Sequence, residues 1–158
     1  MDYLVLKWLH ILSSTVLFGT GIGSAFYLLV VTLGRDARTV ATVAGWVVVA
    51  DWLFTTTTAI AQPLTGWLMV RAVPMPWNQP WLATSIALYA FAIACWLPVV
   101  GIQLHLRDEA RRNAAADNRL SRRYWRLFMA WVALGALAFV AFLAIFWMMV
   151  SKRVPFAG

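Results

Sequence analysis

The chain has 158 residues, 63% of them hydrophobic and only 12% charged, and carries a formal net charge of +7. Soluble domains are typically about half apolar and about a quarter charged, so this composition excludes a soluble globular protein and leaves a membrane protein. Nucleic acid is excluded as the reason for the positive charge, because nine of the 13 basic residues fall in two short connections between apolar runs.

Four apolar runs, at about residues 4–33, 40–70, 81–106 and 127–150, each exceed the ~20 residues that cross a bilayer core at ~1.5 Å per residue. The links between them are short and polar or proline-rich, which makes consecutive helices antiparallel neighbours. The prediction is an all-α, integral membrane four-helix up-down bundle that occupies residues 1–158 as a single domain.

The first run opens on Met-Asp-Tyr rather than a basic head, and its apolar stretch continues through "GSAFYLLVV". It therefore reads as a retained helix and not a cleaved signal. At 100° per residue, Lys7, His10, Ser14, Gly21 and Ala25 form one stripe with Phe18 beside it. Gly19 and Gly23 lie on another face, with the small-xxx-small spacing that lets a helix approach closely.

In the second run Asp51, Thr55, Thr58, Gln62, Thr65 and Met69 share a stripe. Pro63 should bend this helix and free a carbonyl one turn earlier, and Gly66 in "AQPLTGWL" offers a close helix contact. The third run aligns Ser85, Tyr89, Trp96 and Gln103. Trp52 and Trp96 lie near the membrane centre, where a buried indole needs a partner for its N–H. The fourth run has no polar stripe and reads as a lipid-facing scaffold.

Polar faces in a bilayer turn inward. Depth along each helix places His10, Gln62, Thr65 and Ser85 at one level toward the outer side, with Asp51, Trp96 and Gln103 in the opposite half. Basic residues concentrate in the first and third connections: Arg35 and Arg38, then the run from Arg107 to Arg126. This is the positive-inside pattern, which predicts both termini in the periplasm and the arginine-rich connection in the cytoplasm, against anionic headgroups.

His10 is the sharpest candidate, as an axial haem ligand, a proton acceptor beside a quinol, or an imidazole hydrogen-bonded across to Gln62 or Thr65. Lys7 snorkels to the headgroups or holds an anionic group such as a haem propionate. His105 points away from the third stripe at the cytoplasmic boundary. It lies about 30 Å from His10 along the membrane normal, so the two cannot ligate one haem within a monomer. Asp51 has no Lys or Arg at its depth. Such a carboxyl stays protonated and hydrogen-bonds Thr55 or Trp96, or relays protons. The lone Cys95 can form neither an intrachain disulfide nor a cysteine metal site.

The segments "LKWLHILSSTVLFGTGIGSAFYLL", "AQPLTGWLM" and "LYAFAIACWLPVVGIQLHLRDEA" resemble the small predicted bacterial integral membrane proteins of domain-of-unknown-function family 2269. The resemblance implies four transmembrane helices in a bacterial inner membrane and no established activity. "KWLH", Lys7–His10, is also similar to the first helix of the small bacterial membrane protoporphyrinogen oxidase. That family places a functional lysine in its third span. No lysine occurs in residues 81–106, so His10 alone carries over, as a haem- or porphyrin-facing residue.

Three functions follow as expectations. The first is a redox-linked or haem-, porphyrin- or quinol-handling protein, with His10 as ligand of a b-type haem and Lys7, Ser14, Gln62, Thr65 and Tyr89 around it. The second is a small proton, ion or solute transporter using Asp51 and the threonine stripe. The third is a non-catalytic subunit that packs against copies of itself or other membrane helices.

Overall fold

A computed structural model describes residues 2–73 and 75–154 as four long helices: α1 (Tyr3–Leu33), α2 (Ala37–Ala72), α3 (Pro80–Ala115) and α4 (Arg122–Ser151). All four are long and apolar enough to cross a membrane. Their starts follow ordinary capping chemistry. The side chains of Asp2, Asp36 and Ser121 accept from the backbone N–H groups of Leu4, Thr39 and Tyr124 at 3.1, 2.9 and 3.1 Å, and Pro80 opens α3. Lys152, in the left-handed region at φ 56°, ends α4.

The arginine-rich segment differs from its expected loop form. α3 runs on to Ala115 and α4 begins at Arg122, so only residues 116–121 connect them. "RDEARRNAA" is built from good helix formers, and Glu109 and Arg112 pair at 2.9 Å with i,i+3 spacing. Hydropathy marks where the bilayer core ends, not where a helix does.

The two connections at this end are tied together. Asn118 donates to Asp36 Oδ1 at 2.5 Å and accepts from the Arg38 N–H at 3.0 Å, and Asp36 forms an isolated bridge with Arg119. Hydrogen bonds from the Thr39 and Asn118 side chains and the Thr39 backbone N–H hold the Asp36 carboxyl below its usual range. A depressed folded value means that this clasp contributes above the ordinary Asp pKa and is lost as pH falls through the lowered one. Acidification should therefore speed amide exchange around Thr39 and Arg119 before it affects the helices, and Asp36→Asn should abolish that pH dependence.

α2 is not uniform. Asp51–Thr55 form a π-turn, in which the Thr56 N–H reaches back five residues to the Asp51 carbonyl, and Thr56 Oγ1 donates to the same oxygen at 3.1 Å. Such bulges widen a helix locally and recur at functional sites. This one buries Asp51 and Thr55 and moves the next inward position from Thr58 to Ala59.

Pro63, one turn later, lacks the N–H that would bind the Ala59 carbonyl. Tyr89 of α3 supplies the donor, its hydroxyl lying 2.5 Å from that oxygen. Tyr89→Phe should destabilise the bundle by about 1–3 kcal/mol by orphaning the carbonyl. Most of that loss should vanish in a Pro63→Ala background, where the backbone N–H returns; a double-mutant cycle of reversible unfolding in bicelles measures it.

Packing runs α1–α2–α3–α4, with α1 and α4 barely touching. α4 is the least buried of the four spans, as expected of a lipid-facing helix, but it also has a packed face. It packs most extensively on α3, and Tyr124, Phe128, Trp131 and Met148 are buried. Phe128 stacks on Tyr124 and Trp131 at 6.1 and 6.0 Å, and these rings sit in one cluster with Leu28, Val40, Val47 and Leu106. In a helix without polar side chains hydropathy cannot tell core from lipid; the bulk of these aromatics decides it. Trp52, by contrast, is 57% exposed on the outer face. Among the described residues nothing lies within 4 Å of a Cβ placed at Gly19 or Gly23.

Candidate functional site

Two polar clusters lie inside the bundle. The first joins α1 to α2. Gln62 donates to the His10 carbonyl at 2.8 Å and to Ser13 Oγ at 2.7 Å, and His10 Nδ1 lies 2.8 Å from Thr65 Oγ1. The Thr65 hydroxyl also reaches the Ala61 carbonyl at 2.7 Å. With its one proton placed there, Nδ1 donates to Thr65 and Nε2 keeps its lone pair. Gly66 lies against the ring: a Cβ there would meet His10 Cε1 at 3.4 Å, about van der Waals contact.

Of the residues expected around His10, Gln62 and Thr65 are there and the others are not. Ser14 bonds its own helix at Ile11 O, 2.7 Å away; its neighbour Ser13 takes the inward role. Tyr89 serves Ala59, Lys7 is exposed, and Ser85 faces α4, 3.9 Å from Met148 Sδ. Among the described residues no group of three or more His, Cys, Asp or Glu side chains could hold a metal ion.

The second cluster centres on Asp51, 7% exposed. Trp96 Nε1 donates to Oδ2 at 3.2 Å and lies 3.4 Å from Oδ1. With the Gln103 amide turned so that donors face acceptors, its nitrogen donates to Asp51 Oδ2 at 3.2 Å and its oxygen accepts from Trp131 Nε1 at 3.3 Å. The opposite orientation sets like against like. Thr55, 6% exposed, points here with its buried hydroxyl beside the Asp51 carboxyl.

Above this floor opens a cavity of about 430 Å³ between α1 and α4, walled mainly by apolar side chains. Gly21 and Gly135 face open space, with nothing within 4 Å of a Cβ at either. Phe18 bridges the cleft, stacked on Phe139 at 5.5 Å and edge-on to Phe146 at 5.0 Å. The volume lies within the ~300–1,000 Å³ usual for small-molecule sites. His10 does not line it.

A third group, at the arginine-rich end, has no apolar signature that hydropathy could detect. Glu109 is buried there, accepting from Ser121 Oγ at 2.8 Å and Arg112 at 2.9 Å, with Arg123 at 3.8 Å. His105 is exposed beside it, in a shallow surface hollow with Asp108, Arg111, Arg112 and Arg123.

Fold and site together define a polytopic integral membrane bundle with a carboxyl group buried at the foot of an apolar cavity. The chain belongs to the family described as predicted integral membrane protein (DUF2269), whose model matches residues 4–153. No curated protein and no solved structure matches it.

Proposed function

We propose that this protein binds a hydrophobic small molecule inside the bilayer, in the cavity between α1 and α4, with Asp51 and Thr55 as its polar anchor. One observation carries the reading: in an otherwise largely apolar wall, the cavity meets the buried Asp51 carboxyl with the Thr55 hydroxyl beside it. A few placed polar groups in an apolar pocket fix the orientation of a bound small molecule. The scarcity of contact between α1 and α4 gives a lipid-borne molecule a sideways entry. This is the solute-handling reading of Asp51, and it leaves His10 as a packing residue between α1 and α2. Haem or redox chemistry at His10 draws no support from the comparisons, and the cavity lies elsewhere.

In this reading the protein sits in a bacterial inner membrane with its arginine-rich end in the cytoplasm. Anionic headgroups meet the exposed arginines there.

Labelling with a diazirine-bearing long-chain alcohol tests the proposal. Adducts in the wild type should concentrate on the cavity walls of α1 and α4. Gly135→Trp, which fills open space, should remove them while the protein still elutes as a folded species. Adducts spread evenly over the lipid-facing surface of both proteins would defeat it.

A further inference from the structure

We infer that the ligand is a lipophilic monocation, exchanged at Asp51 for a proton; this rests on the cavity being a binding site.

The cavity supplies one formal charge and nothing to balance it. Asp51 is the sole titratable side chain among its lining residues: α1, α3 and α4 present no Lys, Arg, His, Glu or second Asp to it. The groups that do reach the carboxyl, Trp96 Nε1, the Gln103 amide and the Thr55 hydroxyl, are neutral. They orient the carboxyl without neutralising an ionised form. Charges within a membrane are expensive unless paired, so an ionised Asp51 requires a cation that the protein does not provide.

The walls favour the same ligand. Trp96, Trp131, Phe18, Phe139 and Phe142 all line the cavity, and aromatic faces attract cations strongly once water is excluded. A neutral alcohol would use the floor but gain nothing from the charge. An anion would meet a carboxyl and the negative faces of aromatic rings. A hydrophilic cation would find almost no polar wall.

The exchange balances simply. In the empty protein Asp51 is a carboxylic acid. As the cation enters, the carboxyl O–H bond breaks, the proton passes to bulk water, and carboxylate and ligand form an ion pair. No other bond changes, and the cavity holds zero net charge before and after, so neither state leaves a lone charge in the membrane.

The probe is tritiated tetraphenylphosphonium, with tetraphenylborate as an anion of the same shape, on purified protein in nanodiscs. Wild-type protein should bind the phosphonium saturably at neutral to alkaline pH. Affinity should weaken at mildly acidic pH, and about one proton should be released per cation bound in weak buffer. Asp51→Asn should lose about tenfold or more in affinity and release no proton, while still taking diazirine-alcohol adducts on the cavity walls as a sign of intact folding. Equal binding of the borate, or unchanged phosphonium binding by Asp51→Asn, would overturn the inference. Cavity labelling by the alcohol without saturable phosphonium binding would overturn the charge assignment alone. Failure of both probes would overturn the binding site with it.

Discussion

Replacing Asp51 by leucine should destabilise the folded bundle by about 1–3 kcal/mol for each donor it orphans, with Trp96 Nε1 and the Gln103 amide first in line. Both donors converge on the same carboxyl, at 3.2 Å, and no water in the bilayer core can replace it. Asp51→Asn keeps an acceptor of the same shape, and its new N–H₂ can meet the Thr55 hydroxyl beside it. That variant should fold with much smaller loss. The two substitutions thus separate hydrogen bonding from charge, which only ligand binding should register. Reversible unfolding in bicelles checks the ranking, and adding Trp96→Phe to Asp51→Leu should recover part of the loss, since it removes one orphan. Equal stability of the leucine and asparagine variants would mean that the cluster does not hold the helices.

Much of this was legible in the residues because a helix obeys a fixed period. The 100° wheel put Asp51 and Trp96 on inward faces, and depth along the helices put His10 level with Gln62 and Thr65. Pro63 announced a homeless carbonyl, which Tyr89 fills. The failures have equally local causes. Neighbouring residues on a wheel differ by 100°, so choosing Ser14 over Ser13 assigned the wrong hydroxyl to the α1–α2 contact. A π-turn disturbs the count locally, which turned Thr58 out of the inward row and Ala59 into it, while Gln62 and Thr65 kept their inward places. No residue pattern marks that turn beforehand. Tyr89 lay on the right helix face, but the nearest unsatisfied group was a backbone carbonyl rather than the His10 ring.

The buried face of α4 was illegible for a different reason. Period and hydropathy detect contrast, and α4 has none, because lipid and protein core are both apolar. The cavity shares this property: it exists where the backbones of α1 and α4 stand apart with Phe18 bridging them, and a gap between helices leaves no mark on either sequence. Gly21 and Gly135 become informative only once the structure shows that nothing fills the space before them.

Orientation in the membrane should give the clearest all-or-none result. The structure ties the first and third connections into one end through Asp36, Asn118 and Arg119, so the arginines of both count toward one side. Arg71, Lys152 and Lys7 lie toward the other end. Two of these rest on rings, Arg71 over Trp67 at 4.5 Å and Lys152 over Trp81 at 4.2 Å, as expected of side chains at a membrane interface. The charge bias then predicts that the arginine-rich end faces the cytoplasm. Cysteines introduced at the exposed positions Ala116 and Asn78 report the two ends separately, and buried Cys95 can stay in place. In intact cells a membrane-impermeant maleimide should label Asn78→Cys strongly and Ala116→Cys only after the membrane is permeabilised. Reversing that bias, by Arg→Glu changes at Arg119, Arg122 and Arg126 together with new lysines at positions 77 and 79, should begin to exchange the two labelling patterns. Strong labelling of Ala116→Cys in intact wild-type cells, with none at Asn78→Cys, would turn the molecule over and put the Asp51 half of the bundle nearer the outer face.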